Sequence, residues 1–204
     1  MQLFQSYGYQ QTILDDIAAE RSANKKRHLV IAATGTRKTM IAAFDYHQFC
    51  KEHKREPRLL YIAHREEILQ QARGAFRQVV RDGSFGDIIA GGAQPRQTDH
   101  LFCTVQSWNS RGYDHFPPTH FEYIVLDEAH HDSAASYQKL IGHIDPQSLL
   151  GLTATPERAD GADIRHDFGG ALTHEIRLPE AIERALLTPF HYFGIPDQHT
   201  IRHG

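Results

Sequence analysis

The chain has 204 residues, with 22 Lys and Arg, 25 Asp and Glu, 15 His and a formal net charge of -3. At roughly 150 residues per domain this is about one domain, long enough to bury a core without staples. Apolar residues make up 40% and charged residues 23%, an ordinary globular composition that argues against disordered, collagen-like and membrane classes.

Two cysteines, Cys50 and Cys103, make no disulfide framework and fit no zinc spacing, so a reducing, cytosolic compartment is expected. Met1-Gln2-Leu3-Phe4 lacks the basic and apolar regions of a signal peptide. The near-neutral charge offers no global attraction for nucleic acid, which leaves only a local groove for it.

Along the chain, Ile13, Leu14 and Ile17 recur at helical spacing. The apolar run Leu29–Ala33 follows and predicts a buried strand. Ala42, Ile41 and Phe44 then line a helix. Leu59–Ala63 predicts a second strand, and Ile68, Leu69, Ala72, Phe76 and Val79 stripe a longer helix after it. Ile88–Ala90, Leu101–Thr104, Tyr123–Leu126 and Leu149–Leu152 predict four more strands. These runs are continuous rather than alternating, as strands covered on both faces require. Pro179 is expected to open a helix that carries Ala181, Ile182, Ala185 and Leu186, with Pro189 blocking its continuation. The alternation of strand and helix predicts an α/β fold, a parallel sheet flanked by helices. Ligands of such sheets bind at the carboxyl ends of the strands.

The loop after the first strand reads Thr34-Gly35-Thr36-Arg37-Lys38-Thr39 and leads into a helix. A phosphate loop needs backbone N–H groups that cradle oxygens, a Lys that reaches the terminal phosphates and a Ser or Thr hydroxyl for Mg²⁺. Thr34 to Arg37 would supply the cradle, Lys38 the cation and Thr39 the hydroxyl. One position departs from the pattern: Arg37 stands where a Gly is usual. Its side chain either crowds the nucleotide or adds a phosphate contact of its own.

Asp127-Glu128-Ala129-His130 follows the apolar run Tyr123–Leu126. Two adjacent carboxylates after a hydrophobic strand suit metal-assisted phosphoryl transfer, one for Mg²⁺ and one for the attacking water. Thr153-Ala154-Thr155-Pro156 closes the last strand.

In this order, the three stretches resemble motifs I, II and III of the superfamily 2 helicases and translocases in their DEAH-box form. Tyr9-Gln10-Gln11 is similar to the element before motif I. Ala63-His64-Arg65-Glu66-Glu67 resembles motif Ia, Gly91-Gly92 the glycine pair, and Thr104-Val105-Gln106-Ser107 the later backbone-contacting motif. The Ala63–Glu67 and Leu152–Arg158 stretches most resemble the bacterial restriction-enzyme-like and nuclease-linked helicases.

The resemblance implies a RecA-like P-loop domain, the first motor domain, over residues 1–190. It implies ATP and Mg²⁺ as cofactors. Gln10 would read the adenine; Lys38 and Glu128 would be catalytic; Thr39 and Asp127 would hold Mg²⁺. His130, Thr153 and Thr155 would couple nucleotide to nucleic acid, which His64, Arg65, Gln106 and Ser107 would face. The partner strand would be DNA, with RNA open. Glu180-Ala181-Ile182 and Pro189-Phe190 resemble the usual end of that domain. Residues 191–204 would then open a linker or form a frayed tail, and a second motor domain, absent from the chain, would be supplied in cis or trans. The rival expectation is a nucleic-acid-binding or regulatory module that does not hydrolyse ATP. A small P-loop kinase fits poorly, because it leaves the Asp-Glu-Ala-His and Thr-Ala-Thr runs unexplained.

Overall fold

The computed structural model describes residues 8–90, 94–112, 115–127, 134–155, 163–170 and 172–183. Helix α1 (Gly8–Ser22) leads into strand β1 (Arg27–Ala32), followed by α2 (Lys38–His53), β2 (Leu59–Ala63) and α3 (Glu66–Val80). Strands β3 (Asp87–Ile89) and β4 (His100–Thr104) precede a short helix α4 (Val105–Arg111). Then come β5 (Tyr123–Asp127), α5 (Ala134–His143), β6 (Ser148–Thr153), a 3₁₀ turn at Ile164–Phe168, β7 (His174–Ile176) and α6 (Leu178–Glu183).

The seven strands form one sheet in the order β3-β4-β2-β5-β6-β1-β7. Every pairing is parallel, so all carboxyl ends lie on one edge. The six apolar runs of the sequence correspond to β1 to β6, within a residue or two at each end.

Both faces of the sheet are covered, which is why those runs do not alternate. Along β1, Val30 and Ala32 pack on one side with Ile13 and Ile17 of α1, Ile41 and Phe49 of α2, and Leu69 and Phe76 of α3. Leu29 and Ile31 pack on the other with Trp108 of α4, Tyr137 and Leu140 of α5, and Phe168. Phe168 lies so close to β6 that a Cβ at Gly151 would overlap its ring. That contact accounts for a glycine in a central strand.

At the sheet's amino end, α1 and α2 are clasped by a buried ion pair. Arg21 donates from Nη1 to both Asp45 oxygens, at 3.1 and 3.2 Å, and from Nε to Glu52 at 3.0 Å. Tyr123 of β5 donates its hydroxyl to Asp45 at 2.6 Å. The Asp45 side chain is wholly buried, so the bonds from Arg21 and Tyr123 replace the water it loses. The clasp ties α1 to α2, the helix that opens at Lys38.

Candidate nucleotide-binding site

The loop between β1 and α2 turns twice through left-handed backbone: Gly35 has φ 90° and Arg37 has φ 54° and ψ 46°. Gly35 adopts this conformation without strain. Arg37 does so with a Cβ, at a cost of roughly 1–2 kcal/mol. Close approach of a ligand is one reason for a glycine at this position; the dihedral itself is a second. The Arg37 side chain is exposed.

Helix α2 begins directly after Arg37. No side chain caps it, and its first turn carries no acid. The first N–H groups of a helix and its dipole favour an anion. Lys38 sits at this start, only 9% exposed. Its ammonium donates to the Ala32 carbonyl at 3.1 Å, which folds it against the end of β1. Thr36 is buried and donates its hydroxyl to the Ala33 carbonyl at 2.6 Å. Thr34 and Gly35 are exposed and Thr39 is half-buried.

Helix α1 braces the loop from its first turn. Tyr9 donates its hydroxyl to the Thr36 carbonyl at 2.8 Å, the peptide just before the strained Arg37. Gln10, the expected adenine reader, is 1% exposed, so its amide is covered rather than presented.

Asp127 ends β5 and is 4% exposed. Its Oδ2 accepts from the Tyr61 hydroxyl at 2.5 Å. Across the sheet, Asp127 is in register with Leu152 of β6, and Thr153, the next residue, with Ile31 of β1. Thr153 therefore lies at the end of the strand between Asp127 and the β1 loop. It is buried, and its hydroxyl donates to the Thr155 carbonyl at 2.7 Å while accepting the Thr155 N–H at 3.2 Å. That pair of hydrogen bonds makes a tight turn which leaves Thr155 exposed.

The residues expected to face nucleic acid lie along the same edge. Ala63 and Thr104 are cross-strand partners at the ends of β2 and β4. His64, half-buried, and Arg65, exposed, follow β2. Arg65 is the extended residue that opens α3, ahead of Glu66 and Glu67 in its first turn. Thr104 caps α4 by accepting the Ser107 N–H at 3.1 Å, so Gln106 and Ser107 occupy the first turn of that helix. Gln106 is exposed and Ser107 half-buried.

Glu128, His130, Gly91-Gly92, Pro189-Phe190 and residues 191–204 lie outside the described residues. Sequence reasoning missed two residues of this region. Tyr61 reads as one more apolar member of β2, and nothing in the run announces that its hydroxyl meets Asp127. Tyr9 stands beside Gln10 in the motif, but only the fold reveals its bond to the loop.

The family model described as "Type III restriction enzyme, res subunit" matches residues 3–158. The chain belongs to this family.

The family chain is 26% identical over 190 residues to the Type I restriction enzyme EcoAI endonuclease subunit of Escherichia coli, a match covering 89% of this chain and 23% of that protein. It is 26% identical over 159 residues to the putative mitochondrial ATP-dependent helicase irc3 of Schizosaccharomyces pombe, covering 75% and 26%. The chain thus spans about a quarter of these relatives' length. Two solved structures share the fold. The Type ISP restriction-modification enzyme LlaGI, in complex with a DNA substrate mimic, aligns with TM-score 0.68 at 20% identity, over 90% of this chain and 21% of that one. The UvsW helicase of bacteriophage T4 aligns with TM-score 0.66 at 18% identity, over 85% and 60%. The chain thus has a RecA-like α/β fold and is related to restriction-enzyme subunits. No helix among the described residues is long and apolar enough to cross a membrane.

Proposed function

We propose that this motor domain binds ATP with Mg²⁺ and couples its hydrolysis to movement along DNA. One observation carries the reading: a buried lysine at an uncapped helix start shares the carboxyl edge of the sheet with a buried aspartate. The donor set suits the ligands. Among the described residues no group of three or more His, Cys, Asp or Glu could hold a metal ion. Mg²⁺ does not require one, since it takes one or two carboxylates, a hydroxyl and phosphate oxygens.

In this reading Lys38 leaves the Ala32 carbonyl and reaches the β- and γ-phosphates, while the N–H groups from Thr34 to Lys38 cradle them. Thr39 and Asp127 would hold Mg²⁺, whose charge would offset that of the phosphates. Glu128 orients the attacking water. Gln10 turns outward to meet the base. Thr153 and Thr155, with His130, relay the state of the nucleotide toward the strand. His64, Arg65, Gln106 and Ser107 contact the backbone of the strand, so binding is sequence-independent and salt-sensitive. The motor unit is residues 1–190, with 191–204 opening a linker. A second motor domain, in cis or trans, contributes the arginine finger, a group worth about 10³–10⁵ in rate in related phosphoryl-transfer enzymes. The relatives named as helicases and the DNA-bound fold neighbour support this choice of partner.

The strained Arg37 favours one other reading, a module that binds nucleic acid without turning over ATP. Steady-state ATP hydrolysis, with and without single-stranded DNA at low salt, separates the two. Slow turnover that DNA stimulates and Glu128→Gln abolishes supports the motor. DNA binding with no turnover, even at high enzyme concentration, supports the module.

A further inference from the structure

Asp127 is held by a partner that no sequence motif provides. Its Oδ2 accepts the Tyr61 hydroxyl at 2.5 Å. Tyr61 lies in β2, the strand beside β5, and is wholly buried. Its ring stacks on Phe102 at 5.5 Å and 24°, and meets Phe76 edge-on at 5.8 Å and 83°. A ring packed on two sides cannot swing away, so the hydroxyl is a fixed donor. A neutral donor sets a carboxylate's rotation without cancelling its charge, unlike a lysine or arginine. Partners of this kind orient metal-ligating carboxylates, and their loss typically weakens metal affinity.

We propose that Tyr61 is a positioning residue for the metal site: it engages Oδ2 of Asp127 and turns Oδ1 toward Mg²⁺, directly or through a bound water. The inference rests on the assignment of Asp127 to the Mg²⁺ of a bound nucleotide. It adds that β2, the strand which leads into His64 and Arg65, also sets the metal ligand. Tyr61→Phe keeps the ring and its packing and removes only the hydroxyl. It leaves the carboxylate beside an apolar ring edge, where it loses a charge-assisted bond and its fixed rotation.

The test is a Mg²⁺ titration of the whole chain with a fluorescent ATP analogue, alongside a titration of the analogue in EDTA. Tyr61→Phe should raise the Mg²⁺ half-saturation by about tenfold or more and leave the affinity in EDTA unchanged. In an Asp127→Asn background the same substitution should change the half-saturation by less than about twofold, because the two groups act as one unit. An unchanged half-saturation overturns the proposal. So does an equal loss of affinity in EDTA, which would make the hydroxyl a support for the loop as a whole. Additive effects in the Asp127→Asn background overturn it too. If the unsubstituted chain binds the analogue with no Mg²⁺ dependence, the assignment of Asp127 fails first and the role of Tyr61 with it.

Discussion

Arg37 sets the conformational cost of the loop between β1 and α2. Its left-handed backbone is one that L-residues rarely adopt and glycine adopts freely. Arg37→Gly should therefore stabilise the chain by roughly 1–2 kcal/mol. At this size a melting temperature rises about 2–4 °C per kcal/mol, which a thermal melt of both forms would resolve. The same substitution should tighten binding of a fluorescent ATP analogue, because backbone can then approach the phosphates closely. Equal melting temperatures would mean that the bond from Tyr9 to Thr36 holds the loop strongly enough to absorb the strain. Arg65 makes a separable claim. It is exposed at the start of α3, on the same edge as the loop. Arg65→Ala should weaken binding to unrelated DNA sequences alike and lower the slope of log affinity against log salt by about one. A slope unchanged at low salt would reduce Arg65 to a surface residue.

At the level of elements, α1 and α2 depend on each other through the Arg21–Asp45–Tyr123 clasp. Removing one member of a buried ion pair leaves the other charge without compensation. Asp45→Ala should cost about 3–5 kcal/mol, read as a lower urea midpoint with little change in slope. A cost under about 1 kcal/mol would mean water reaches Arg21 once its partner is gone. Most of the strands read from the sequence owe their legibility to burial on both faces, which keeps charged residues out of runs such as Leu59–Ala63. Strand β7 escaped because His174-Glu175-Ile176 is a short edge strand with only Ile176 buried, so it carries no apolar run. Helices α4 and α5 escaped for a related reason. The first has seven residues, with only Val105 and Trp108 buried, too few turns to display a helical stripe. In α5, Tyr137, Leu140 and Ile141 are buried, but they follow closely on the acidic motif and form too short a stripe to stand out from it. The site was legible where a backbone pattern made it so, as in Gly35 and Lys38 at a strand-to-helix turn. It was not legible at Tyr61, whose hydroxyl acts across strands that are 66 positions apart in the chain.

For the whole molecule, burial of histidines links stability to pH. Burial pushes His28 and His100 below their ordinary value of 6.5, against the pull of nearby acids. His47 and His120 are lowered in the same way, with neighbouring cations adding to the effect. For each, the unfolded chain binds its proton near pH 6.5 while the folded chain does not. The folded state keeps its full advantage above that pH and loses it as pH falls toward the lowered values. A hydrogen bond from Arg55 holds Glu122 down to about 2, which adds a second loss as pH falls below 4.5. Urea midpoints should therefore fall steadily from pH 7 to pH 4; a midpoint flat between pH 7 and pH 5 would show that these histidines gain protons without unfolding. The proposed function requires Lys38, at the start of α2, to bind the phosphates of a nucleotide. Equilibrium titration of a fluorescent ATP analogue, with Mg²⁺, against the unsubstituted chain and Lys38→Ala tests it most directly. The first should bind saturably and the second with an affinity at least about tenfold lower, the loss expected when a charge-assisted contact worth about 1.5–3 kcal/mol is removed. Equal affinities, or no binding by the unsubstituted chain, would contradict it.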